Sequence, residues 1–458
     1  TSTLSRGCLV NIDWLMERLT SCGDKQAVIW RDRHSTYAEL VSSVERWRTR
    51  LPEQNCVPGS VVGVIGDFSP EICGLLLALM ERNCVIVPLS AAATTSHRDF
   101  LDTAEVQVVF EFSSDDSCQI HHRDVTVTNL LTHELIAMGD AGLVLFSSGS
   151  TGKPKAALHN FAKLVEKFRT QRPSLRTLVF LLFDHIGGLN TFLHTISNGG
   201  TMVITKDRNP DEVCRLIAEH RVELLPTSPT FLRLLLISEA WRLHNLSSLT
   251  LITYGTEVMP ESTLTRLNQM FPNVRFQQTY GLSELGIMRS RSKESGSLWV
   301  QVGGEGFETK IVDGILWIRA ASAMLGYLNA PSPFTEDGWF ITGDLVEIDG
   351  DYLRIKGRAS EIINVGGEKI YPGDVESVVQ QMDGVDEVAV ASEPNPITGQ
   401  TVTARVKLST AETLPEFRKR MREFCKSRLR PNQIPQKVLL VADDMHSSRF
   451  KKLRAAKG

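Results

Sequence analysis

Apolar runs of strand length alternate with amphipathic or capped helix patterns through much of the chain. Residues 61–90 show the rhythm plainly. VVGVIG is a buried-strand run, Ser69-Pro70-Glu71 is a helix start ahead of the apolar CGLLLALM, and Cys84 to Leu89 is rich in β-branched residues. The same alternation recurs in VQVVFEF before a Ser/Gly loop, in TMVITK with DEVCRLIAEH, in VELLPTSP with TFLRLLLIS, and in LTLITYG with ESTLTRLNQMF. Strands alternating with helices predict α/β layers with mostly parallel sheets. Past Trp299 the pattern changes to short strands with Gly and Asp turns: FETKIVDGILWIRA, then GWFITGDLVEIDGDYLRIKG, with Asp349-Gly350 read as the hairpin turn. After Arg358 a compact α+β pattern follows. It ends in a helix with Phe417, Met421, Phe424 and Arg428 at helical spacing and Arg418, Lys419, Arg420 and Arg422 mostly opposite. The expected fold is therefore α/β: a large N-terminal domain of layered sheets and helices with a β-rich subdomain over residues 1–357, and a small C-terminal α+β domain over 358–458.

Composition narrows the function classes. A chain of 458 residues exceeds one ordinary core. A net charge of −3 gives no global reason to expect nucleic acid. Eight cysteines without a C-x-x-C pair suit reduced thiols and argue against a zinc site. CGLLLALM is bounded by Glu71 and by Glu81-Arg82, far short of a membrane span. The N-terminus shows no charged-then-apolar export pattern, so the expected location is the cytoplasm.

The densest chemistry lies in LVLFSSGSTGKPKAALHN. The run Leu143 to Phe146 reads as a buried strand that empties into Ser147, Ser148, Gly149, Ser150, Thr151, Gly152 and Lys153, closed by Pro154 and Lys155. Small residues let backbone N–H groups curl around an anion, and hydroxyls and lysines add donors and charge. The loop departs from G-x-x-x-x-G-K-(S/T), since Pro154 follows Lys153. A flexible Ser/Gly linker is the plain alternative.

SSGSTGKPK resembles the phosphate-binding signature of the adenylate-forming superfamily: acyl- and aryl-CoA synthetases, adenylation domains of peptide synthetases, and luciferases. Further segments resemble that family's signatures in its own order. Thr279-Tyr280-Gly281-Leu282-Ser283-Glu284 is similar to Y-G-x-T-E. The resemblance places Tyr280 and Gly281 at adenine, the Ser283 hydroxyl at the α-phosphate and the Glu284 carboxylate at Mg²⁺. Alone, the hexapeptide also reads as a capped polar turn. Tyr254-Gly255-Thr256-Glu257 resembles the adenine-binding strand end, with Thr256 where the family usually has a second glycine. Gly338 to Leu345 (GWFITGDL) resembles G-W-(F/Y)-x-T-G-D, which implies that Asp344 accepts the ribose hydroxyls; in isolation T-G-D is a hairpin turn. KGRASEIINVGGEKIYP, from Lys356 to Pro372, resembles the family hinge. This implies that Arg358 reaches ribose or phosphate, that Ser360 stands at the pivot usually held by Asp or Lys, and that Gly366 and Gly367 border a pantetheine tunnel.

The C-terminal MHSSRFKKLRAAKG, aligned on Ile434-Pro435, puts Lys451 on the family's adenylation lysine and Arg454 on its arginine. Phe450 takes the glycine's place and Lys452 is the fallback; alone, the segment is a solvated basic tail. Phe183-Asp184-His185-Ile186-Gly187-Gly188-Leu189 falls where the family lines its acid pocket. His185 is read as a pocket or gating residue, with a core histidine as the alternative. Gly188, Tyr254, Leu282 and Ile287 complete an apolar pocket.

The resemblance implies an AMP-forming acid–thiol ligase using ATP, Mg²⁺ and coenzyme A or a carrier-protein phosphopantetheine. A small-molecule carboxylic acid, aromatic or fatty, is the substrate. No nucleic acid and no membrane span are expected, and the assembly is a monomer or homodimer. Two other readings stand beside it: a free-standing adenylation enzyme loading an acyl or aminoacyl group onto a carrier protein, and a non-catalytic nucleotide-binding relative suggested by Phe450 and Ser360.

Overall fold

The computed structural model describes residues 12–91, 97–147, 154–447 and 451–454. Two seven-stranded sheets dominate the first part of the chain. In one, the central strands Val61–Gly66, Val85–Ser90 and Val108–Phe112 run parallel, and all six residues of each of the first two are buried. Uninterrupted burial is what a strand covered on both faces requires, which is why these segments read as continuous apolar runs. The other sheet carries the parallel strands Gln26–Trp30, Thr201–Ile204, Arg176–Val179, Leu224–Thr227, Leu251–Tyr254 and Arg275–Gln278.

Helices Pro70–Glu81 and Ile186–Ser197 lie in the layer between the sheets, because one apolar core joins Val62, Ile86 and Leu143 of the first sheet, Val28, Val179 and Met202 of the second, and Leu76 and Phe192 of the helices. Helix Pro70–Glu81 begins as its sequence predicts: the Ile72 N–H donates to Ser69 Oγ at 3.1 Å and Pro70 takes the first turn, where its missing N–H costs nothing.

A six-stranded antiparallel sheet follows, from Arg289–Ser292 to Tyr352–Arg358. Its last hairpin pairs Phe340–Asp349 with Tyr352–Arg358, and Asp349 faces Tyr352 across the turn. The turn residues are thus Gly350-Asp351, one position later than expected, with Gly350 supplying φ +59°. From Ile363 onward the chain builds a five-stranded sheet with its own core. Helix Leu414–Lys426 buries Phe417, Met421 and Cys425 on that sheet. Arg428 lies beyond the helix end and stacks on the Phe424 ring at 3.9 Å, correcting the longer helix expected from spacing. The elements that escaped the pattern include strand Cys118–His122 and helix Leu130–Met138, which intervene before the Ser/Gly loop, and the first helices, Asp13–Ser21 and Tyr37–Glu53.

Candidate active site

Leu251–Tyr254 and Arg275–Gln278 are parallel neighbours, and their carboxyl ends lead directly into the two motifs Tyr254-Gly255-Thr256-Glu257 and Thr279 to Glu284. Ligands in open α/β sheets bind at such strand ends. The two segments touch backbone to backbone. A Cβ on Gly255 would stand 2.8 Å from the Thr279 carbonyl oxygen, so only glycine fits. Thr256 has φ +72°, a left-handed conformation unfavourable for a β-branched residue. That explains the glycine usual at this position and marks Thr256 as strained.

Tyr280 and Asp344, each 7% exposed, are joined by a hydrogen bond from the tyrosine hydroxyl to Oδ2 at 2.5 Å. Arg358 faces Asp344 in the antiparallel register and pairs its Nε with Oδ1 at 2.8 Å. The Thr342 hydroxyl accepts from the Asp344 N–H at 3.0 Å and fixes the bend. Burial, and then the Asp344 carboxylate, push the Tyr280 hydroxyl far above its usual range, so the proton stays on tyrosine. Burial also raises the Asp344 carboxyl, against the pull of Arg358, Tyr280 and Lys451. A carboxylate offers about four lone-pair sites, so Asp344 keeps acceptor capacity for a pair of vicinal hydroxyls. Arg358 is half exposed and open to an anionic ligand.

Glu284 accepts from the Tyr327 hydroxyl at 2.6 Å through Oε1, and the Lys155 ammonium lies 5.1 Å from the centre of the same tyrosine ring. One oriented carboxylate with a free oxygen suits Mg²⁺, which keeps most of its waters and is otherwise held by substrate phosphates. Among the described residues no cluster of three metal-ligating side chains occurs, as that mode of binding requires none. Ser283 shares a turn with Glu284, and Gly281 begins the short strand that leads into it. At Gly281 a Cβ would come within 2.8 Å of the Gly286 carbonyl oxygen. Ser147 ends strand Gly142–Ser147 opposite Lys155; Ser148, Gly149, Ser150, Thr151, Gly152 and Lys153 lie outside the described residues.

The residues expected at the acid pocket fall into different environments. His185 is the N-cap of helix Ile186–Ser197, its Nδ1 accepting from the Gly187 N–H at 3.1 Å. Gly188 is buried where a Cβ would meet the Leu181 carbonyl oxygen at 2.9 Å and the Leu182 carbonyl closer still; its glycine serves backbone packing. Tyr254 is buried in the second core. Leu282 and Ile287 are partly exposed on the hairpin Gly281–Leu282 with Gly286–Ile287. The Ile287 carbonyl accepts from Lys167, a residue the sequence pattern did not mark.

Ser360 is exposed in the turn Ala359–Glu361, directly after the last strand of the six-stranded sheet. Gly366 and Gly367 form the two-residue link between Ile363–Val365 and Glu368–Ile370, with φ +59° and +89°. Both glycines are therefore demanded by the turn itself.

The tail segment is tied to both parts of the molecule. The Lys452 N–H donates to Glu257 Oε2 at 3.0 Å, while its ammonium pairs with Glu376 at 2.9 Å. Arg454 pairs with Glu376 at 3.0 Å and with Glu361 at 2.6 Å. Burial opposes the Glu376 charge, yet Lys452 and Arg454 hold its carboxyl down at about 2. Lys452, the fallback, is thus committed, whereas Lys451 is exposed and acts electrostatically on Asp344. Phe450 lies outside the described residues. Glu257, Tyr327 and Glu376 were not anticipated; Glu257 alone adjoined a motif that could have drawn attention to it.

Comparisons with known proteins identify the family. The family model described as AMP-binding enzyme matches residues 15–328, and that of the AMP-binding enzyme C-terminal domain matches 374–452. The chain is similar to indoleacetate–CoA ligase of Aromatoleum aromaticum, 27% identical with 94% of each chain covered. It is also similar to a feruloyl-CoA synthase of an Amycolatopsis species, 26% identical over 81% of this chain and 83% of that one. Its fold is similar to the anthranilate CoA ligase AuaEII in complex with anthranoyl-AMP, with TM-score 0.84, 19% identity, and 98% and 96% of the two chains covered. Among the described residues no helix is long and apolar enough to cross a membrane. With the strand ending at Ser147 and the Tyr280 motif inside the first match, and the segment of Lys451 and Lys452 inside the second, the protein belongs to the AMP-binding enzymes, the adenylate-forming superfamily, of the acyl-CoA synthetase type.

Proposed function

We propose that this chain activates an aromatic or fatty carboxylic acid with ATP and transfers the acyl group to coenzyme A. A carboxylate oxygen attacks the α-phosphorus, the bond to the β-phosphate oxygen breaks, and pyrophosphate leaves with that electron pair. The thiol sulfur then attacks the acyl carbon, its proton passes to solvent, and AMP leaves. The observation that carries the reading is the joining of Tyr280 and Arg358 on buried Asp344, at the end of the paired strands that carry the two nucleotide motifs.

In the first step the problem is repulsion between anions, and fixed donors and cations are the remedy. Ser147 and the loop through Lys153, with Ser283, are assigned to the phosphates. Gly255 and Thr256 and the ring of Tyr280 are assigned to adenine, Asp344 and Arg358 to ribose. Glu284 would hold Mg²⁺, which supplies charge neutralisation at the leaving pyrophosphate. Lys451 bridges carboxylate and α-phosphate. The acid lies along His185, Leu282 and Ile287. We assign residues 1–357 and 358–458 to separate domains, with Ser360 at the pivot. Turning the small domain withdraws Lys451 and brings Gly366 and Gly367 beside the thiol path, so one site serves both steps.

Acid-dependent ATP–pyrophosphate exchange across a panel of carboxylic acids tests the first step, and thioester formation with CoA against a phosphopantetheinylated carrier protein tests the acceptor. No exchange with any acid refutes the reading. Transfer to the carrier alone replaces CoA with a carrier protein.

A further inference from the structure

Lys167 lies in the turn Glu166–Arg169, after the short helix Phe161–Val165. Its ammonium donates to Asn190 Oδ1 at 2.5 Å and to the Ile287 carbonyl at 2.8 Å. Asn190 stands one turn into the helix that His185 caps, and Ile287 is the register partner of Gly281, next to Tyr280. The cation is therefore held between the two walls assigned to the acid, one strand away from the nucleotide motif.

Both acceptors of this ammonium are neutral. Arg289 opposes its charge, Lys167 together with Arg172 opposes protonation of His194, and the ammonium lies 4.9 Å from the centre of the Phe168 ring. Among the described residues no carboxylate pairs with it. Withdrawing a lysine charge from water is costly unless an anion compensates, and crowding it with other cations raises that cost. Burial first, and Arg289 second, push its pKa down to about 7. A neutral hydrogen-bond donor would satisfy Asn190 and Ile287 at lower cost. An ammonium also has three donors, and two are committed here. Lys167 nevertheless keeps partial solvent access.

We propose that Lys167 is the recognition cation for a second carboxylate on the substrate, so that the preferred acid is a dicarboxylic or carboxyl-substituted aromatic acid whose far end binds between Asn190 and Ile287. This rests on the acid-activating reading above and narrows its substrate class. The first carboxylate meets Lys451 and the α-phosphate; the second gives the ammonium its missing partner.

Matched pairs of acids test it: hexanoate against adipate, and phenylpropanoate against its para-carboxy derivative, in ATP–pyrophosphate exchange with the full chain. The wild type is expected to favour the dicarboxylic member of at least one pair by about tenfold or more in kcat/KM. Lys167→Met, which keeps the side chain's length and packing, should lower that preference ratio on the order of 100-fold, chiefly through KM. A wild type that prefers the monocarboxylic member of both pairs overturns the proposal without any variant. Equal loss on both members in Lys167→Met also overturns it, because a purely structural lysine predicts that result. If Lys167→Met does not fold, Lys167→Gln is read by the same ratio. Exchange with the monocarboxylic acids alone leaves acid activation standing while refuting the second carboxylate; exchange with no acid refutes both.

Discussion

Replacing Glu376 by glutamine removes one charge and little volume from the point that holds the tail. Glu376 is 2% exposed and receives Lys452, two nitrogens of Arg454 and the Val390 N–H. Its carboxyl stands at about 2 against an ordinary 4.5. At about 1.4 kcal/mol per unit, the charge contributes roughly 3 kcal/mol. The partners are less buried, with Lys452 15% and Arg454 26% exposed, and Arg454 retains Glu361, so about 2–3 kcal/mol is the better expectation. A carboxyl whose folded pKa is depressed stabilises above its unfolded pKa. The contribution is therefore complete above pH 4.5 and is lost as pH falls towards about 2.

That free energy corresponds to a roughly 30- to 160-fold change in the ratio of docked to released tail. Because Lys451 belongs to the tail that Glu376 holds through Lys452 and Arg454, Glu376→Gln should lower acid-dependent ATP–pyrophosphate exchange towards that factor. Thioester formation from supplied acyl-adenylate should fall far less. Hydrogen exchange of residues 445–454 and a thermal melt separate tail release from unfolding of the five-stranded sheet. Unchanged exchange activity with a demonstrably released tail would refute the coupling of Glu376 to Lys451. So would equal loss of both half-reactions at an unchanged melting temperature.

Lys451→Ala should reduce exchange by about 100-fold or more while largely sparing thiol transfer from supplied adenylate; equal loss of both steps removes its assignment to the first. Thr256→Gly relieves a left-handed threonine at φ +72° and should raise stability by about 0.5–1 kcal/mol, read as a higher melting temperature. A fall in melting temperature would show that the methyl and hydroxyl outweigh the strain. Glu284→Gln retains an acceptor for Tyr327 and should raise the Mg²⁺ concentration for half-maximal exchange about tenfold with an unchanged melt; an unaltered Mg²⁺ response removes it as the metal carboxylate.

Sequence was most informative where a physical demand acts locally. Strands Val61–Gly66 and Val85–Ser90 were visible because burial on both faces leaves a nearly unbroken apolar run, and Ser69-Pro70 because a cap is a contact three residues long. Thr256 was visible as a departure before its backbone angle gave the reason. The turn at Gly350-Asp351 was missed by one residue, since register depends on a partner strand and not on the turn dipeptide. Long-range polar partners left no trace. Tyr327 meets Glu284 from 43 positions away and Lys452 meets Glu257 from 195, so a lone acid or tyrosine in an ordinary segment carried nothing to mark it. Lys167 was hidden for the same reason: within FAKLVEKF it reads as one more solvated charge, and only folding places it against Asn190 and Ile287.

The contacts around Asp344 differ in what a turning small domain could change. Arg358 is its strand partner within the six-stranded sheet, and Tyr280 reaches it from the end of a parallel strand, so both belong to fixed scaffold. Lys451 comes from a segment anchored to Glu376 and Glu361 on the far side of Ser360, with the Lys452 N–H bond to Glu257 crossing back. Under the proposed rotation the Tyr280–Asp344–Arg358 cluster keeps its geometry while the lysine charge departs with the tail. The ribose contacts then survive the step in which the adenylating cation leaves, and the nucleotide stays held while its acyl group is exposed to the thiol. Separating the holding residues from the reacting one in this way lets two incompatible demands, bridging two anions and then clearing the path to the carbonyl, fall on one site in succession.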